Sequence, residues 1–157
     1  MSAPLRTGFR PQIIAEHGVV ATQTPLASTL ALGVLMRRWN AVDAAVTAAC
    51  ALAVLRPDTG GPGGDAFALI HWSRDGRTFA LNSSGPAPAG ADPDRFRPKG
   101  APRADIRSVC LPGAVAAWGA ALERFGTLSL ADAEAPAVEL AERGMPAGYA
   151  LSRIIAQ

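Results

Sequence analysis

The sequence predicts an α+β fold, and three observations carry that prediction. Four segments repeat apolar residues at helical spacing, two short apolar stretches flank an Asp-Gly turn, and 49% of the 157 residues are hydrophobic. A chain this apolar buries enough surface to offset its conformational entropy, which excludes intrinsic disorder. The length allows one domain at most. With a net charge of +2, and 15 Lys and Arg scattered among 13 Asp and Glu, the chain lacks the clustered basic stripe of a nucleic-acid binder.

The elements follow in order. Thr24-Pro25 supplies an N-cap and a proline at the first helical position, so a helix is expected from Pro25 to about Trp39. Leu26, Leu30, Gly33 and Val34 mark its apolar face, with Arg37 and Arg38 in the last turn, where the helix dipole favours cations. Asn40 caps a second helix, with Asp43 three residues on as a variant of the capping box. Val42, Val46, Ala49, Cys50 and Ala53 form one stripe of it. Further apolar residues at 44, 45, 48, 52 and 55 make the helix apolar nearly all round, and therefore central.

Arg56-Pro57 stops that helix and opens the loop DTGGPGGD at 58–65. Two strands follow, AFALIHW at 66–72 and TFALNS at 78–83, joined by Arg74-Asp75-Gly76-Arg77 as a hairpin turn. Residues 84–107 read as a long irregular segment, a length that is usually functional or a sign of missing partners. From Pro112 a third helix places Val115, Trp118, Leu122 and Phe125 on one face and ends at Gly126. Ser129 with Asp132 caps a fourth, which Pro136 kinks and Gly144 ends. Two strands are too few for an independent sheet, and a bare hairpin cannot cover a helix as apolar as 41–55. The chain is thus expected to aggregate when purified alone.

Targeting and cofactor signals are sparse. The opening MSAPLRTGFRPQIIAEHG has Pro, Arg and Glu where a signal peptide places an apolar run, so a cytoplasmic location is expected. The longest apolar stretch, Ala44 to Leu55, is shorter than the ~20 residues of a membrane span. Cys50 and Cys110 lack zinc or disulfide spacing, and His17 and His71 stand alone, so no metal or cofactor is expected. The glycine cluster leaves a helix and enters a strand, the reverse of a phosphate-binding loop, which favours a tight connection over a cradle. Asp65 is available to cap that turn or to help build a site. Asn82, Ser83 and Ser84 offer hydroxyl and amide groups at a strand end, for a ligand or for the turn itself. A nucleophile with its own base is not visible.

Read as a string, residues 18–148 resemble the gamma-glutamyltranspeptidase family. The matching pieces, in the family's order, are GVVATQTPLAS at 18–28, RRWNAVDAAVTAACALAV at 37–54 and RPDTGGPGGDAFALI at 56–70. LNSSGPAPAGADPDRF at 81–96, SVCLPGAVAAW at 108–118 and RFGTLSLADAEAPAVELAERGMP at 124–146 complete the series. The resemblance implies an N-terminal-nucleophile hydrolase with an αββα sandwich, of which this chain is an N-terminal portion, incomplete as given. It divides the chain into an N-terminal segment, 1–17, and a partial domain, 18–157.

In that family one precursor cleaves itself into a large and a small subunit. The threonine freed by cleavage attacks a gamma-glutamyl or other small amide bond, with its own α-amine as base. The resemblance places that threonine beyond this chain, so no catalytic residue is expected here, the chain alone is expected to be inactive, and its partner is the rest of its precursor. Asp65, Asn82, Ser83, Ser84, Gly85 and Arg103 are the implied substrate-binding candidates. True transpeptidases carry an Arg that grips the substrate α-carboxylate in a segment like Arg-Glu-x-Ala-Pro. Aligned on Ala87-Pro88, this chain has Ser84 and Gly85 there. A related subgroup has Ser-Gly-Arg-Ala-Pro and the loop Gly-Gly-Asp-Ala-Phe. The chain keeps Gly63 to Phe67 and Ser84-Gly85, with Pro86 replacing the Arg, which puts it closer to that subgroup. Arg103 or Arg107 is then a candidate substitute cation. The contrasting expectation is a non-catalytic remnant or interaction module of the same fold.

Overall fold

A computed structural model of the chain describes residues 12–95 and 109–156. In order come α1 (Pro25–Met36), α2 (Ala41–Leu55), β1 (Phe67–Trp72), β2 (Arg77–Asn82), a 3-10 turn (Pro93–Arg95), α3 (Ala114–Phe125), α4 (Leu130–Arg143) and α5 (Tyr149–Ile155). The fold is α+β, as expected. No helix among the described residues is long and apolar enough to cross a membrane.

The Thr24 hydroxyl accepts from the Ala27 amide at 3.2 Å and starts α1. The helix stops at Met36, three residues short of the expected Trp39, so Arg37 and Arg38 lie beyond it. The cause is the next cap. Asn40 must be extended to start α2, and only a tight reversal, with Arg38 left-handed at φ 64°, fits in the four residues available. The buried face of α1 also differs from the expected leucine stripe. Ala27, Ala31 and Val34 are buried, while Leu26 and Leu30 are half-buried and pack beside Ala27, Ala51 and Leu55. Small residues face Ala44, Ala48 and Ala51 of α2, which lets the two helices approach closely and moves the leucines to the flanks.

Helix α2 is the hub. It packs on α1, α3 and α4, and Val42, Val46 and Cys50 meet Ala121 and Leu122 of α3 and Ala133 and Ala137 of α4. The expectation that this helix lacks cover is therefore corrected: the helices after the hairpin close over it, and Ala41 and Ala45 are its exposed apolar positions. Burial pushes the Cys50 thiol up to about 11, with Glu134 adding repulsion, so it stays neutral.

Beneath the hub, Asp43 ties the molecule together. Its carboxylate is fully buried and accepts from the Asn40 amide at 3.0 Å, completing the capping box. It also accepts from the Thr127 amide at 2.7 Å, the Thr127 hydroxyl at 2.7 Å and the Leu128 amide at 3.0 Å. The Asn40 side-chain amide donates to the Phe125 carbonyl at 2.7 Å. One two-residue cap thus holds the α3–α4 link. A Cβ on Gly126 would sit 2.8 Å from the carboxylate, so the link approaches this closely only because it has none. Burial raises the Asp43 pKa, but the donated hydrogen bonds outweigh it and hold the carboxyl below its ordinary value.

The hairpin is antiparallel, from Phe67↔Asn82 to Trp72↔Arg77. Gly76, at φ 68°, closes its turn, and Arg77 belongs to the strand rather than to the turn. On the inner face, Ile70 and Leu81 pack against the α2–α3–α4 core. Phe79 and Trp72 stack on Phe125 with centroids 5.0 and 5.4 Å away, and the Arg124 guanidinium lies 4.6 Å from Phe79. The outer face is bare: Leu69 is 80% exposed and Phe67 66%.

Helix α3 begins at Ala114 rather than Pro112. It buries Ala114, Ala117, Ala121 and Leu122, whereas Val115, expected in its stripe, is exposed. Ser129 caps α4 through the Asp132 amide at 3.1 Å. The helix continues through Pro136 to Arg143, where Gly144 at φ 79° ends it.

Candidate functional site

Three separate stretches of sequence meet at the open end of the hairpin. The first is the loop after α2. Arg56 forks onto Asp58 with two bonds of 2.8 Å, which holds the Asp58 carboxyl below its ordinary value. Thr59 donates to the Gln23 side-chain oxygen at 3.2 Å, joining the loop to the segment before α1. The turn from Gly61 to Gly64 closes by its own backbone bond of 3.0 Å, so Asp65 is not its cap.

The second stretch is the end of β2 and the third is the start of α3. The Gly64 carbonyl accepts from the Gly113 and Ala114 amides at 2.9 and 3.0 Å. Loop backbone thus satisfies the first donors of α3, which has no side-chain cap. The Ser83 amide donates to the Ala66 carbonyl at 3.1 Å, and the Ser83 hydroxyl both accepts from the Ala66 amide and donates to its carbonyl, each at 2.9 Å. A Cβ on Gly113 would lie 1.9 Å from the Ser83 carbonyl oxygen, and one on Gly85 would lie 2.4 Å from Cβ of Leu111. Both glycines are required by contact rather than by dihedral angle.

Of the expected substrate-binding residues, the fold brings Asp65, Asn82, Ser83, Ser84 and Gly85 to this one end. Asn82 is exposed, and its side-chain oxygen accepts from the Ser84 amide at 3.0 Å, forming a turn over Ser83. Ser83 directs its hydroxyl inward to Ala66. Asp65 is exposed and borders an open groove of about 770 Å3 floored by Ala45, Ala49 and Trp118, with Thr22, Gln23 and Thr59 on its rim. Arg103 and Arg107 lie outside the described residues. Among the described residues, no three His, Cys, Asp or Glu side chains come together in a metal-binding group.

The chain resembles known proteins in both sequence and fold. The gamma-glutamyltranspeptidase family profile matches residues 27–157. The chain belongs to the gamma-glutamyltranspeptidase family. It is 35% identical over 149 residues to a glutathione hydrolase proenzyme of Bacillus subtilis, a match covering 90% of this chain and 25% of that protein. Its fold superimposes on the gamma-glutamyltranspeptidase of Helicobacter pylori with a TM-score of 0.77 and 35% identity, covering 86% of this chain and 40% of that one. It superimposes equally well on a cephalosporin acylase of Bacillus halodurans, with a TM-score of 0.78 and 37% identity, covering 98% and 30%. The α+β arrangement is the N-terminal portion of this family's αββα N-terminal-nucleophile sandwich. The chain spans about a quarter of the length of the curated relatives it matches.

Sequence reasoning found the loop, the strand end and the capping box. It did not find Gly64, Gly113 or Gly126 as contact points. The only signal for Gly113 was a glycine placed directly before an alanine-rich helix, and nothing local tells which backbone approaches it.

Proposed function

We propose that the protein of which this chain forms the N-terminal portion is an amide hydrolase or acyltransferase. It is made as one precursor and cleaved within itself to expose a threonine. Family membership over residues 27–157 carries this reading. The threonine hydroxyl attacks the substrate carbonyl while its own α-amine takes the proton. The amine leaving group departs protonated, and the acyl-threonine ester passes to water or to an amino acid. That threonine lies outside residues 1–157, and the small subunit it heads is the chain's partner. By itself the chain is inactive.

Within this scheme the hairpin end receives the non-reacting end of the substrate. Ser84 and Gly85 stand where a true transpeptidase carries the Arg-Glu that grips an α-carboxylate, and Pro86 offers no replacement charge. A neutral hydroxyl forms a weaker bond to a carboxylate than a forked guanidinium does. The reading is therefore a preference for small amides whose acyl part lacks the free α-carboxylate of a gamma-glutamyl group. Identity does not decide between these classes, since a glutathione hydrolase and a cephalosporin acylase match this chain at 35% and 37%. The test compares kcat/KM of the full-length protein on glutathione and on neutral acyl amides. The expected result is a lower value on glutathione by about tenfold or more, the effect of one lost charge-assisted pair. Equal values would contradict the assignment.

A further inference from the structure

We propose that Ser83 is a positioning residue that sets the substrate-facing turn Ser84-Gly85; this inference rests on the function proposed above. In an antiparallel ladder, hydrogen-bonded partners exchange two backbone bonds. Continuing the register past Phe67↔Asn82, Ala66 and Ser83 form the next pair. Only half of the backbone exchange is present there, the Ser83 amide donating to the Ala66 carbonyl at 3.1 Å. In the other half the Ser83 hydroxyl replaces the Ser83 carbonyl as the acceptor for the Ala66 amide, at 2.9 Å, and donates back to the Ala66 carbonyl at 2.9 Å.

The substitution frees the Ser83 carbonyl from the ladder. Its oxygen packs against Gly113, 1.9 Å from where a Cβ there would lie, while the Gly113 and Ala114 amides bind the Gly64 carbonyl. The strand consequently ends at Asn82, whose side-chain oxygen turns the chain through the Ser84 amide at 3.0 Å. Gly85 is then seated against Leu111. One hydroxyl thus decides where β2 stops and which way Ser84 leaves it. An alanine at position 83 leaves the Ala66 amide without its acceptor and allows the Ser83 carbonyl to rotate back into the ladder, which moves Ser84.

The experiment measures steady-state kinetics of the full-length protein and its S83A and S83T variants on the amide the wild type cleaves best. Because Ser84 meets the non-reacting end of the substrate, S83A is expected to raise KM about tenfold with kcat changed less than about twofold, the pattern of lost uniform binding. S83T keeps the hydroxyl and is expected to lie near wild type. Should S83A fail to accumulate, S83C, whose thiol weakens both bonds, is read by the same split. Unchanged kinetics in S83A would overturn the proposal. So would a loss confined to kcat, or equal impairment of S83A and S83T, either of which marks a general packing role. A wild-type protein that cleaves none of the amides would instead sink the functional reading, and this inference with it.

Discussion

Asp43 is the residue on which the helical core depends most. Its four donors come from the α2 cap and from the α3–α4 link, and water does not reach it. Replacing it with asparagine keeps the shape but turns an NH2 toward N–H donors. Asp43→Asn is expected to cost about 3 kcal/mol at pH 7. The folded pKa lies below the unfolded value of ~3.9, so the carboxylate's contribution is complete above that pH and is lost as pH falls through the folded pKa. Urea unfolding at pH 7 and near pH 3 checks this: the gap between wild type and variant narrows at the lower pH, and a constant gap would refute it. The capping box was readable from Asn40 and Asp43 three residues apart. The second use of the same carboxylate, for amides 84 and 85 residues away, was not, because spacing carries no information about which distant backbone arrives there.

At the scale of elements, the helices and the hairpin were legible from periodicity and turn residues, while their faces were less so. Leucines at 26 and 30 dominate the apolar pattern of α1, yet alanines at 27 and 31 take the fully buried positions and the leucines pack at their side, because closeness of approach outweighed side-chain size. The periodicity likewise left the whole of α2 uncovered, whereas α1, α3 and α4 bury most of it and leave only the stripe through Ala41, Ala45 and Ala49 along the open groove. The large exposed side chains lie on the hairpin instead, at Phe67 and Leu69. Exposed apolar patches of this kind associate. Residues 1–157 expressed alone are accordingly expected to self-associate in sedimentation velocity. Phe67→Thr with Leu69→Thr reduces that association, and Ala41→Ser with Ala45→Ser does not. The reverse order would return the uncovered surface to α2.

For the molecule as a whole, the sequence motifs run in the order of the gamma-glutamyltranspeptidase family, and the fold agrees with solved structures of a gamma-glutamyltranspeptidase and a cephalosporin acylase at TM-scores of 0.77 and 0.78. Three segments widely separated in sequence, 58–66, 82–85 and 111–114, are gathered at the hairpin end by hydrogen bonds to the Gly64 and Ala66 carbonyls and by two close approaches that only Gly113 and Gly85 permit. That convergence was invisible locally, because each glycine taken alone reads as an ordinary turn or helix boundary. The chain builds a platform, and under the proposed function the chemistry belongs to a threonine elsewhere in the same precursor. Intact mass and N-terminal sequencing of the full-length protein after purification test this most directly. Two fragments are expected, the smaller beginning with threonine, together with a Thr→Ala variant at that position that stays uncleaved and inactive. A single uncleaved chain with full amidase activity, or a new N-terminus headed by another residue, would contradict it.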